Sequence, residues 1–206
     1  LDLINQHSSF AISAHVNPDG DSIGSQLAVY SFLTDLNKHV RIFNTDSIPS
    51  NYRFLPLSDK IEQPDTLDGY SPEVLIVLDA STLVRIGGHL SKALVPEQVT
   101  INIDHHASAD HFGDYNLVET SASSTCEIIY KLIQLSSAKV SYKQATALYT
   151  GIMFDTGCFR YSNSTPQVHR IAANLIDQGI EVDKIYRNVY ETNPIQRLRL
   201  LTKALE

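Results

Sequence analysis

Four short apolar runs, Phe10–Ala14, Val40–Phe43, Val74–Leu78 and Val99–Ile103, punctuate the first half of the chain. Each is strand-sized and bounded by polar or turn-forming residues, the pattern of a buried strand. Helical spacing follows or separates them. Ile23, Leu27 and Tyr30 recur on one face, then Ile128, Leu132 and Leu135, then Ala145, Leu148 and Ile152, then Val168, Ile171, Ala172 and Leu175. Start signals agree with the spacing. Ser124 with Glu127 and Ser141 with Gln144 fit the capping box, and Thr165-Pro166 is a cap followed by a first-turn proline. A further helix is expected around Val182–Tyr190, and the stretch Asn44–Asp68, broken by Pro49, Pro56 and Pro64, reads as an irregular surface segment. Strands alternating with helices predict an α/β fold, a mostly parallel sheet of the doubly wound type with helices on both faces.

The last predicted helix begins at Asn193-Pro194 and carries Ile195, Leu198, Leu201 and Leu205 as one apolar stripe. Such a stripe needs a partner, either a second copy in a homodimer or a further domain.

The polar residues that interrupt this pattern cluster at strand ends. His15, Asp19 and Asp21 fall within AHVNPDGDSIGS, between the first strand and its helix, where an open α/β sheet presents ligands. A solvated turn is the plain alternative; a calcium loop started at Asn17 fails because Ser22 and Ala28 stand where Gly and Glu are required. The third strand ends in Asp79, which has a second reading as a turn cap. The fourth runs into Asp104, His105 and His106; adjacent side chains on an extended segment point opposite ways, so one histidine is expected at a metal and the other at substrate. Asp155 closes the second of the later helices, an unfavourable place for an anion unless a cation offsets it. Ser123 and Ser124 stand where hydroxyls can meet a phosphate or cap a helix, and Arg160 lies in a polar run that reads as a substrate edge or as a polar strand and turn. His7, His39, His89, His111 and His169 have no such company and read as surface residues.

Four carboxylates and two imidazoles, His15, Asp19, Asp21, Asp79, His105 and Asp155, can hold two divalent ions if one carboxylate bridges. Mixed nitrogen and oxygen donors without thiolate suit manganese, with magnesium or cobalt as alternatives. Two ions about 3.5–4 Å apart activate water for in-line displacement at phosphorus.

Composition narrows the partners. At 206 residues and 43% hydrophobic content the chain can bury one sizeable core. The formal net charge of −7 argues against a long basic nucleic-acid groove, though bound cations would still draw an anionic substrate. Cys126 and Cys158 have no metal-site or CxxC spacing and read as reduced thiols of a cytoplasmic protein. No run approaches a membrane span and no secretory signal is evident; the start at Leu1 reads as a trimmed or processed end.

The segments HVNPDGDSIGS, VLDAS, DHH and GIMFDTGCFRYSNSTP resemble the four motifs of the DHH phosphoesterase superfamily, and FRYSNSTP favours its nanoRNase and pAp phosphatase branch. The resemblance implies that His15, Asp19 and Asp79 hold one manganese. Asp21, Asp79, His105 and Asp155 would hold the other, with Asp79 bridging. It further implies that His106 contacts the scissile phosphate or assists the leaving group, with Asp104 supporting the histidine pair. The family's second domain, of the DHHA1 type, carries a glycine-rich GGGH-type motif absent from this chain. Residues 1–190 are thus expected to form the catalytic domain, and 191–206 a linker helix towards a missing one. The activity implied is hydrolysis of short oligonucleotides or nucleotide phosphates. Inorganic pyrophosphatase and single-strand exonuclease are the enzymatic alternatives, and a metal- and nucleotide-binding module without turnover is the non-enzymatic one.

Overall fold

A computed structural model describes residues 1–67, 69–94, 98–192 and 195–205. After a short helix α1 (Asp2–Gln6), the chain forms β1 (Ser9–Ala14), α2 (Gly20–Asp35), β2 (His39–Phe43), β3 (Ile61–Glu62) and β4 (Val74–Leu78). Then come α3 (Gly88–Leu94), β5 (Val99–Asp104), β6 (Tyr115–Val118), α4 (Thr125–Leu135), α5 (Tyr142–Asp155), α6 (Pro166–Ile176), α7 (Val182–Tyr186) and α8 (Ile195–Leu205). The six strands pair in parallel in the order β3-β2-β1-β4-β5-β6. The chain moves outward from β1 through β2 to β3, then returns to β4 beside β1 and proceeds the other way. That reversal opens a crevice between the carboxyl ends of β1 and β4.

Both faces of the sheet are covered, as expected. Along β1, β4 and β5, Phe10, Ile12, Ile76, Leu78 and Ile103 belong to the large core shared with α2, α4, α5 and α6. The alternate residues Ala11, Leu75 and Val77 belong to a smaller core with Ile86, Leu90 and Leu94. The period of two along each strand thus divides two apolar layers. Helix α2 lies between the sheet and α5 and is buried on all sides over most of its length. It packs closely where glycine allows it: a Cβ at Gly24 would stand 2.5 Å from the Ala147 carbonyl oxygen of α5.

Several local expectations change. Two edge strands, β3 and β6, were not anticipated; each is short and joined to the sheet by backbone pairing along one side. The proline-broken segment forms 3-10 turns at Ser50–Tyr52, Ser58–Lys60 and Pro64–Thr66, and its Tyr52 and Leu55 enter the large core rather than staying on the surface. On α4 the expected Ile128 is buried and Leu132 packs against the core, but Cys126, Ile129 and Ile133 are buried too, and Leu135 is 77% exposed. The Ser141–Gln144 capping box is complete. At α4, Ser124 Oγ accepts the Glu127 N–H, but Glu127 returns its carboxylate to the Ser123 N–H instead. The predicted cap Asn193-Pro194 lies outside the described residues. Of the final stripe only Leu205 has a described side chain, and it is 79% exposed. Among the described residues no helix is long and apolar enough to cross a membrane.

Candidate metal centre

In register, Ala14, Leu78 and Ile103 stand side by side on β1, β4 and β5, so the next residues, His15, Asp79 and Asp104, share the row at the carboxyl edge. Asp79 N–H continues the ladder to the Ile103 carbonyl at 3.0 Å, and its left-handed backbone (φ 55°) then turns the chain out of the sheet. Across the crevice, Asp19 caps α2. One carboxylate oxygen accepts the N–H groups of Asp21 and Ser22, and the other lies 3.6 Å from His15 Nε2. Two turns of other helices complete the wall. Asp21 accepts backbone N–H from Thr125 (2.7 Å) and Cys126 (2.9 Å) at the start of α4, and Asp155 ends α5.

Asp79 stands between two groups. Its Oδ2 lies 3.4 Å from His15 Nε2, and its Oδ1 lies 3.6 Å from His105 Nε2. His105 Nε2 also lies 3.1 Å from Asp155 Oδ2 and 3.9 Å from Asp21 Oδ2. Donor atoms of His15, Asp19 and Asp79 fall within 4.8 Å of one another, as do those of Asp21, His105 and Asp155. All six residues singled out as metal donors are therefore brought together.

The two histidines of the pair do not point opposite ways: their ring centroids are 4.4 Å apart. The chain has left β5 at Asp104 and no longer alternates. Asp104 Oδ1 instead organises the corner, accepting from His105 N (2.8 Å), His106 N (3.2 Å) and His106 Nδ1 (2.7 Å). His106 is 45% exposed at its side chain, on the open side of the cluster.

The electrostatics are those of crowded charge. Burial, aided by the charges of Asp79 and Asp155, pushes the Asp21 carboxyl well above its usual range. Burial raises Asp155 as well, with Asp79 and Asp19 adding to it. Burial opposes charge on His15, but Asp19 and Asp79 outweigh it and push the imidazole up to about 10. His105, likewise buried and facing Asp155, Asp21 and Asp79, is pushed up to about 9. The Asp104 hydrogen bond raises His106. Burial opposes the ionised form of Asp104, but its bonds to His106 hold the carboxyl below its usual value.

Several residues of this site were not singled out from the sequence. Thr125 Oγ1 donates to Asp79 Oδ1 at 3.2 Å. Asn163, within the polar run read as a substrate edge, has a bracing role that the sequence did not show: its Nδ2 donates to the carbonyls of Ser123 and Asp155, both at 3.2 Å, tying the loop after α5 to the start of α4. A Cβ at Gly151 would stand 2.8 Å from Asp21 Oδ1 and 2.3 Å from Cys126 Sγ, so only glycine leaves that carboxylate its place. Tyr52 arrives from the proline-broken segment, its phenol raised by burial and by the charge of Asp19. The expected substrate contacts are less uniform. Ser124 is occupied as a helix cap, Ser123 Oγ is buried without a protein partner, and Arg160 is exposed with Nε on the Gly157 carbonyl at 2.7 Å.

Residues 9–152 match the model of the DHH family N-terminal domain. The chain belongs to the DHH family. Among its DHH relatives, the bifunctional oligoribonuclease and PAP phosphatase NrnA of Thermus thermophilus is 35% identical over 196 residues, covering 94% of this chain and 57% of that protein. The Bacillus subtilis protein of the same name is 29% identical over 192 residues, covering 92% of this chain and 59% of its own. An exopolyphosphatase-related protein from Bacteroides fragilis superposes with a TM-score of 0.92 at 31% identity, over 99% of this chain and 62% of that structure. The chain thus spans somewhat more than half the length of these relatives.

Proposed function

We propose that this DHH chain is the catalytic part of a phosphoesterase that uses two divalent cations to hydrolyse short oligonucleotides or nucleotide phosphates such as pAp. The observation that carries the reading is Asp79, whose two oxygens each face a separate cluster of carboxylate and imidazole donors. In this reading His15, Asp19 and Asp79 hold one cation, and Asp21, Asp79, His105 and Asp155 the other. The names of the NrnA relatives supply the substrate class.

The donors suit the role. His105 Nε2 is buried among the carboxylates of Asp155, Asp79 and Asp21, at 3.1, 3.6 and 3.9 Å, so a cation bound there would displace its proton and meet all four groups. His15 Nδ1 meets the Val16 carbonyl oxygen at 2.8 Å; donating there leaves Nε2 as the donor atom facing Asp19 and Asp79. The one nearby thiol, Cys126, is held up by burial and stays neutral, so the set is nitrogen and oxygen only, which favours manganese. When bound, such cations neutralise phosphoryl charge and make water acidic enough to attack at neutral pH.

The chain's own residues do the rest. Asp104 fixes the His106 ring at the open lip through Nδ1 and favours its protonated form, whose Nε2–H can bond a phosphoryl oxygen or give its proton to the departing one. Thr125 holds Asp79 between its two neighbours, and the α4 amides hold Asp21. Residues 1–190 form the catalytic domain in this reading, and 191–206 lead towards a second domain that grips the substrate.

The test is hydrolysis of pAp, a dinucleotide and pyrophosphate by this chain, stripped of metal and then supplied with manganese, beside Asp79→Ala. Manganese-dependent release from pAp or the dinucleotide, reduced about 10³-fold in the variant, is expected. Preference for pyrophosphate would replace the substrate class; manganese binding without turnover would leave a binding module; no manganese binding would overturn the reading.

A further inference from the structure

One rung below the row of His15, Asp79 and Asp104, on the same face of the sheet, lies a second row: Ser13, Val77 and Asn102, in register with one another. Ser13 is satisfied, its hydroxyl donating to the Phe43 carbonyl at 2.8 Å. Val77 needs nothing. Asn102 is fully buried, and neither its Nδ2 nor its Oδ1 has a hydrogen-bond partner in the protein. An amide so placed carries the full desolvation penalty of both its ends, and a neighbouring group has to account for it.

Such a group lies two residues along the strand. Asp104 is also fully buried, and its two oxygens are treated unequally. Oδ1 accepts three hydrogen bonds, from His105 N, His106 N and His106 Nδ1. Oδ2 has no partner. Side chains at i and i+2 on a strand share a face with their Cα atoms roughly 6.5 Å apart, too far for a short amide and carboxylate to meet head-on without tilting, and near the span that one water bridges. The amide offers a donor and an acceptor, and the carboxylate an acceptor. Together they supply the two or more polar contacts that an internal water needs.

We infer that Asn102 is a positioning residue for His106: through one internal water its amide holds Asp104 Oδ2, and so fixes the carboxylate whose other oxygen orients the His106 ring. Asn102 touches no substrate and acts only through Asp104. Without that contact Oδ2 would be a buried anionic oxygen lacking a donor, and the carboxylate would tilt to find one, drawing Oδ1 off the donors that orient the His106 ring. The consequence for turnover rests on the proposed function; the geometry of Asp104 and His106 does not.

The experiment compares wild type with Asn102→Val and Asn102→Thr, a pair of equal shape and good strand propensity that differ in one polar group. The imidazole nitrogen shifts of His106 are read by NMR in the metal-free protein, and dinucleotide hydrolysis is measured with manganese. In wild type the neutral imidazole of His106 is expected as a single tautomer, with its proton on Nδ1 towards Asp104. Asn102→Val is expected to mix in the Nε2-protonated tautomer and to lower kcat about tenfold with KM unchanged. Asn102→Thr, whose hydroxyl keeps a bridge to water, is expected to restore most of both. Unchanged His106 shifts in Asn102→Val overturn the inference and leave Asn102 a structural amide. If Asn102→Val does not fold, a wild-type crystal structure that resolves waters decides. An ordered water bonded to both Asn102 and Asp104 Oδ2 supports the inference, and any other arrangement there overturns it. Should the chain hydrolyse nothing, the functional reading fails while the NMR and crystallographic results still judge this one.

Discussion

Strands β1 and β4 treat charge in opposite ways at their two ends. At the amino end, Glu73 Oε2 accepts from Ser8 N (2.6 Å), Ser8 Oγ (3.0 Å) and Ser9 N (3.0 Å), stapling the entry of β4 to that of β1. Those donors pull its carboxyl down to about 2. At the carboxyl end of the same strands, His15 and Asp79 face each other amid Asp19, Asp21, His105 and Asp155, and burial with mutual repulsion pushes the Asp21 and Asp155 carboxyls up. One end is exposed and satisfied, the other buried and crowded. An anion that only holds strands together is given donors and water; four carboxylates crowded out of water, carrying more charge than their few donors offset, describe a site whose partner is a cation.

The comparison can be pressed hardest by supplying that cation. Manganese at about a hundred times its dissociation constant should stabilise the metal-free protein by about 2.7 kcal/mol, a melting shift of roughly 5–10 °C for a domain of this size. Hydrogen exchange should slow at the carboxyl edge and stay unchanged around Ser8 and Glu73. Equal slowing at both ends would erase the distinction. Next in size is Gly151→Ala. The added methyl meets Asp21 Oδ1 and Cys126 Sγ, so a loss of about 1–3 kcal/mol is expected, together with most of the manganese-induced melting shift. An unchanged shift would show that Asp21 holds no cation. The smallest effect belongs to Glu73→Gln. A carboxyl whose folded value is depressed stabilises the fold above its unfolded value, near 4.5, and that contribution disappears as pH falls through about 2. The variant should thus unfold at lower urea than wild type at pH 7, with the gap closing towards pH 2 and the manganese response intact.

Most of the site was legible because its residues come in short motifs at strand ends. His15 and Asp79 follow apolar runs whose length and edge the sequence marks, and the sheet order then places those edges side by side. Asp155 was legible as an anion at the wrong end of a helix. What escaped notice works through the backbone or through a single polar atom. Thr125 looks like any residue after a helix cap, yet its hydroxyl reaches Asp79 and its amide reaches Asp21. Asn102 reads as one polar residue inside a strand. On α4 the spacing finds Ile128 and Leu132 but not the rest of the buried surface, because the first six residues are buried all round, and Leu135 emerges only as the helix leaves the core. Strands β3 and β6 escaped because short edge strands need little apolar patterning to pair.

The donors of the centre are spread from His15 to Asp155, and the amides that hold Asp21 belong to α4, whose first residues are Thr125 and Cys126. A chain emerging from the ribosome therefore exposes the first histidine and two aspartates long before the residues that enclose them. Until α5 is released the set of donors is incomplete, and any ion held by all of them is captured only after translation has passed Asp155.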